Sequence, residues 1–151
     1  MMKEEIERQK TIFLIEDNKA DIRLIAEGLK TSSLPHQIFT VKDGVEAMAY
    51  LQQEGEYEGA PLPELILLDL NLPRKDGREV LAEIKSHPKL EQIPIIVLTT
   101  SSNEQDILNG YDIRKNLYIT KSRNLNQLFQ LVKKIEEFWL LTTTLETENL
   151  S

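Results

Sequence analysis

No cysteine occurs among the 151 residues, which excludes disulfides, thiolate metal sites, iron–sulfur clusters and cysteine nucleophiles. Long apolar runs are missing as well, and none approaches the ~20 residues that cross a bilayer as a helix. Met1 to Lys10 is dense in Glu, Lys and Arg where a secretory signal needs a continuous apolar segment, so the expected location is the cytoplasm and no membrane partner is expected. Dense Lys and Arg clusters are absent and the net charge is -7. That balance argues against nucleic-acid binding, which draws its affinity from cations that displace counterions at phosphates. What remains, 40% hydrophobic and 28% charged, is the composition of one ordinary globular domain with a workable core.

Apolar runs that end abruptly in polar residues are the strongest signal present. Leu65-Ile66-Leu67-Leu68 runs straight into Asp69, and Thr11-Ile12-Phe13-Leu14-Ile15 ends in Glu16 and Asp17. Ile95-Ile96-Val97-Leu98 ends in the hydroxyls of Thr99, Thr100 and Ser101, and Leu117-Tyr118-Ile119-Thr120 ends in Lys121. Between these runs lie helical stripes at Lys19 to Lys30, at Val45, Met48, Ala49 and Leu51 after an Asp43-Gly44 turn, and at Val80, Leu81 and Ile84. A short helix is expected over Asn103 to Tyr111, and a long one from Asn124 to Leu141. With a strand around Ile38 and Thr40, the count is five strands and five helices, an α/β alternation that predicts a parallel sheet covered on both faces. Gln53 to Pro63 holds two Gly and two Pro and is expected to be an exposed excursion.

In an open α/β sheet the crevice outside the carboxyl ends of the strands is where ligands bind. Acids would therefore arrive there from two strands, hydroxyls from a third and an amine from a fourth. Clustered carboxylates repel one another, and a hard oxygen-preferring cation such as Mg2+ relieves that repulsion. Asp69 could then act as a nucleophile toward phosphorus, with Lys121 neutralising the phosphoryl oxygens and Thr99 donating a hydrogen bond. Plainer roles exist for each residue. Glu16-Asp17-Asn18 suits the start of a helix, Thr99 and Thr100 suit a strand, Lys121 suits solvent, and Tyr118 suits a half-buried strand position. His36 and His87 lie beside prolines at element ends and read as surface residues, while Glu27, Glu46, Glu79 and Glu83 fit solvated helix faces.

The ordered set of strand tips, with Asp69-Leu70-Asn71-Leu72-Pro73 leading to Asp76-Gly77, resembles the response-regulator receiver domain of two-component signalling over Lys10 to Leu140. The resemblance implies a flavodoxin-like doubly wound sheet of five parallel strands in the order 2-1-3-4-5. It further implies Asp69 as phosphoacceptor, Glu16 and Asp17 as the acidic pair that holds Mg2+, and the Asn71 backbone carbonyl as a further metal ligand. Thr99, with Thr100 beside it, corresponds to the switch hydroxyl, Tyr118 to the switch aromatic and Lys121 to the phosphoryl-contacting lysine. Such a protein is a phosphoacceptor that can lose its own phosphoryl group, and is not a turnover enzyme. Leu98-Thr99-Thr100-Ser101-Ser102, Tyr118 through Leu125 and Phe138-Trp139-Leu140 look like the response regulators that partner cyanobacterial phytochromes. That narrower likeness implies a stand-alone receiver, a light-sensing histidine kinase as donor and an ability to dimerise.

Two positions depart from the commonest receiver pattern. Ser122 follows the lysine where proline is usual, and a cis bond before a non-proline residue costs ~3 kcal/mol. Glu16 stands where Asp is more usual, and its extra methylene predicts a water-mediated contact to the metal. Phe138, Trp139, Leu140 and Leu141 are consecutive, so no single helical face buries them all; either the tail from Thr142 to Ser151 folds back over them or they form a homodimer interface, and the interface is the expectation. The expected division is an extension at 1–9, a receiver domain at 10–141 and a tail at 142–151, leaving output to contact with a downstream protein. Rival readings are a phosphorylation-independent interaction module and a Mg2+-dependent aspartyl phosphohydrolase. The latter's second Asp would fall where Asn71 stands, and a flavin site lacks a recognisable phosphate loop.

Overall fold

A computed structural model describes residues 10–31, 35–99 and 116–120, together with Lys133, Glu136 and Glu137; at 10, 99 and 116–120 the description is of the backbone. Five strands form one sheet: β1 Lys10–Ile15, β2 His36–Val41, β3 Leu65–Asp69, β4 Ile95–Thr99 and β5 Asn116–Thr120. All neighbours pair in parallel, in the order β2-β1-β3-β4-β5. This is the order expected. The central strands show no alternation of buried and exposed positions because both faces are covered: Ile12 to Ile15, Leu65 to Leu68 and Ile95 to Leu98 are all buried. The edge strand β2 differs, with Gln37, Phe39 and Thr40 exposed, as suits a strand with one open side.

Strand alternation divides the core in two. Phe13, Ile15, Ile66 and Leu68 pack with Met48, Tyr50 and Leu51 of helix α2 (Gly44–Leu51) and with Val80, Leu81 and Ile84 of helix α3 (Gly77–Ser86). Ile12, Leu14, Leu65, Leu67, Ile96 and Leu98 pack on the other face against Ile25 and Leu29 of helix α1 (Lys19–Lys30). Burying a Leu or Ile side chain is worth about 1.5–3 kcal/mol, so these two layers hold the sheet in its register.

Helices α1, α2 and α3 each start with a side-chain cap at the edge of the sheet where the strands end. The Asn18, Asp43 and Asp76 side chains accept hydrogen bonds from the backbone N–H groups of Asp21, Glu46 and Arg78. Caps of this kind satisfy helix donors that have no partner of their own, and the helix N-termini favour negative charge beside the strand tips.

Two details depart from the sequence-based expectations. On α2 the buried stripe is Ala47, Met48, Tyr50 and Leu51, whereas Val45 is 42% exposed. Tyr50 stacks on Phe13 with ring centroids 4.4 Å apart, and this contact orients the helix. The Gln53 to Pro63 segment, expected as an exposed excursion, is largely exposed but tied down. A 3-10 turn, Gly55–Tyr57, brings the Tyr57 hydroxyl to donate to Glu46 Oε1 at 2.6 Å, while Tyr50 donates to the Pro61 carbonyl at 3.1 Å. Glu46, expected on a solvated face, thus holds the loop; Glu83 pairs with Lys75 and Glu27 with Arg23.

The expected helix over Asn103 to Tyr111, the Lys121-Ser122 backbone and Phe138 to Leu141 lie outside the described residues. Of the final helix, Lys133, Glu136 and Glu137 are described and are helical. Among the described residues no helix is long and apolar enough to cross a membrane.

Candidate functional site

The tips of β1 and β3 meet at a carboxylate cluster. Glu16 follows the last residue of β1, and its N–H donates to the Val41 carbonyl at 3.0 Å, carrying the β1–β2 pairing one residue past the strand end. Glu16 is fully buried, Asp17 is exposed and Asp69, the last residue of β3, is 2% exposed. Each contributes a carboxylate oxygen, and the three oxygens lie within 4.8 Å of one another. The helix cap falls to Asn18, whose Oδ1 accepts from Asp21 N at 3.0 Å, so capping does not require the two acids.

Three carboxylates at this separation, two of them buried, carry concentrated negative charge in a poorly solvated place. Oxygen-only ligands suit a hard divalent cation, and the mixture of buried and exposed groups leaves one side open to water, as Mg2+ prefers. The donor set therefore fits such an ion on its own chemistry.

The segment after Asp69 is held closely. Asn71 N–H donates to Asp69 Oδ1 at 3.1 Å, a side-chain turn that orients the carboxylate. Leu70 N–H donates to the Leu98 carbonyl at 3.3 Å and Gly77 N–H to the Leu70 carbonyl at 3.0 Å, so α3 begins against the strand tip. Between them Lys75 N–H donates to the Pro73 carbonyl at 2.7 Å across Arg74, whose φ is 66°. This is the rare γ-turn with positive φ at its centre, which for a non-glycine residue costs on the order of 1 kcal/mol. Arg74 Nη1 donates to Asp43 Oδ2 at 3.2 Å, and Asp43 Oδ1 accepts from Glu46 N at 2.7 Å.

The other sequence-predicted residues are placed by backbone alone or not at all. Asp69 pairs with Leu98 across β3 and β4, and Thr99 is the next residue, the last of β4. Thr99 pairs in turn with Thr120, and Tyr118 lies two residues earlier on β5, opposite Val97. Thr100, Lys121 and Phe138 to Leu140 lie outside the described residues. His36 opens β2 and His87 closes α3, both at the ends away from the carboxylates.

Two contributors were not singled out from sequence. Asp43 and Arg74 fall in polar stretches of the sequence, and a contact across 31 positions leaves no local periodicity. Gly44 and Gly77 gave the available clue. Each follows an Asp, and each lies where a Cβ would strike the neighbouring backbone: Lys75 for Gly44, Asp69 and Leu70 for Gly77.

Comparison with known proteins places this geometry. The chain is 58% identical over 144 residues to the response regulator Rcp1 of Synechocystis sp., covering 95% of this chain and 98% of that one. A crystal structure of the phosphorylated cyanobacterial phytochrome response regulator RcpA superposes with a TM-score of 0.79 at 69% identity, over 89% of this chain and 96% of that one. The Mn(2+)-bound form of Rcp1 superposes with a TM-score of 0.78 at 60% identity, over 87% and 94% of the two chains. The model of the response regulator receiver domain matches residues 12–133, and with the parallel sheet and acidic strand tips described above, this chain belongs to that family.

Proposed function

We propose that this protein accepts a phosphoryl group on Asp69 from the phosphohistidine of a sensor kinase and signals by altered protein contacts. The observation that carries the reading is the convergence of Glu16, Asp17 and Asp69 from two strand tips. Asp17 and Asp69, with Glu16 acting through water and the Asn71 carbonyl, would hold Mg2+. Bound there, the cation would neutralise the carboxylates and the charge on the phosphoryl oxygens.

In the transfer an Asp69 carboxylate oxygen forms a bond to phosphorus as the phosphorus–nitrogen bond of the donor histidine breaks. The nitrogen leaves with the bonding electron pair. The Asn71 N–H on Oδ1 fixes the carboxylate's orientation during attack. Thr99 and Lys121 take the phosphoryl oxygens, with Thr100 beside them, and hydrolysis at the same centre resets the protein. Movement of Thr99 toward the new group opens space for Tyr118 to turn inward, biasing a pre-existing equilibrium between two surfaces.

The likeness to the phytochrome response regulator RcpA supports a phytochrome as the donor kinase, and the cytoplasm is proposed as the location. The family match over residues 12–133 supports a receiver domain proposed over 10–141, and Phe138, Trp139 and Leu140 are proposed as a homodimer interface. Incubation with a phosphorylated phytochrome-type kinase and Mg2+ tests the transfer. Label lost from the kinase and appearing as an aspartyl adduct is expected, and label that stays on the kinase contradicts it.

A further inference from the structure

Two segments flank the carboxylate cluster, and one side-chain pair joins them. The first follows β2: Val41 holds the Glu16 N–H through its carbonyl, and Asp43 comes two residues later. The second follows β3: Asn71 N–H holds the Asp69 carboxylate, and Arg74 comes three residues later. Asp43 uses one carboxylate oxygen to cap α2 and the other to accept from Arg74. Beside this bond Gly44 N–H reaches the Pro73 carbonyl at 3.5 Å, and a Cβ on Gly44 would come within 2.7 Å of the Lys75 Cβ.

We propose that Asp43 and Arg74 are positioning residues that brace the strand tips for divalent-cation binding at Glu16, Asp17 and Asp69. The inference rests on the metal-binding part of the proposed function. Arg74 occupies a backbone conformation that glycine adopts without strain, yet its side chain is spent on a bond across 31 positions. Its partner Asp43 is nearly buried, with a side chain 13% exposed, whereas the Arg74 side chain is 63% exposed. An exposed arginine contributes little to stability, so its expected effect lies in holding the Asn71 segment in place.

Two substitutions separate positioning from folding. Asp43→Asn keeps an oxygen to cap α2 but turns an amide toward the guanidinium, and Arg74→Gly removes the bond while relieving the positive φ. Binding of Mn2+ alone is read from the loss of the free-ion electron paramagnetic resonance signal, alongside the melting temperature of each ion-free protein. Each variant is expected to bind Mn2+ about tenfold more weakly, the lower end for residues that orient ligands, with a near wild-type melting temperature. The double variant should be no weaker than either single one. Unchanged affinity, additive losses, or losses that follow the melting temperature would overturn the brace. Failure of the wild-type protein to bind Mn2+ would instead remove the metal-binding reading on which it rests.

Discussion

Gly77 stands directly against the carbonyl oxygen of Asp69, close enough that a Cβ there would also come within 2.6 Å of the Leu70 Cα. The obstacle is backbone on both counts, so it cannot yield by a rotamer change. The first turn of α3 therefore depends on glycine to reach the strand tip, and the strand tip depends on α3 for the Gly77–Leu70 hydrogen bond. Gly77→Ala should destabilise the fold by about 1–3 kcal/mol, the usual penalty for forcing a methyl group into packed structure. Urea unfolding measures it, and a variant as stable as wild type would show that the contact relaxes freely.

Asn18 separates helix capping from ion binding. Its side chain caps α1 at 3.0 Å while the adjacent acids face the cluster. Asn18→Ala should cost about 1 kcal/mol of stability and leave divalent-cation affinity near that of wild type. Thermal unfolding and calorimetric titration on the same sample report both. Loss of affinity in step with stability would give Asn18 a place in the site.

Tyr57 ties the loop before β3 to α2 through Glu46. The hydrogen bond to Glu46, reinforced by burial and the neighbouring negative charge, pushes the phenol well above its ordinary value of 10.0, and burial raises Tyr50 also. Above pH 10 the unfolded chain releases these protons while the folded chain keeps them. Stability from this source is therefore intact at neutral pH and falls as pH climbs past 10. Tyr57→Phe should lower neutral-pH stability by about 1 kcal/mol and flatten the alkaline decline, leaving the share due to Tyr50. Chemical denaturation between pH 7 and 11 provides the comparison, and an unchanged alkaline slope would contradict the assignment.

Asp17 supplies the exposed member of the carboxylate trio. Without a cation, Asp17→Asn should raise the melting temperature, because one of three mutually repelling charges is gone. With Mg2+ at a hundred times the wild-type Kd, wild type should gain about 2.7 kcal/mol and the variant much less. Melting curves in chelator and in Mg2+ show whether the order of the two proteins reverses. A variant less stable in both conditions would mean that Asp17 has a folding role instead.

The strand tips were legible because a buried strand writes itself as an apolar run, and Asp69 interrupts such a run where the chain must leave the sheet. Glu16 and Asp17 were legible for the same reason, and the alternation of runs with helical stripes carried the parallel sheet. The buried stripe of α2 was harder to read. Val45 is as apolar as the stripe's true members, and Tyr50 gave no sign that its ring stacks on Phe13. Glycine and proline in the Gln53 to Pro63 segment correctly signal irregular backbone but say nothing of the tyrosine bonds that pin it. The Asp43–Arg74 contact depends on two turns meeting in space, which the fold alone decides.

Intact-mass analysis after incubation with a small phosphodonor and Mg2+, comparing wild type with Asp69→Asn, tests the central claim most directly. The account predicts one Mg2+-dependent phosphoryl adduct on wild type, absent in chelator and absent in the variant. An adduct that persists on Asp69→Asn, or wild-type protein that stays unmodified with Mg2+ and donor in excess, would contradict it.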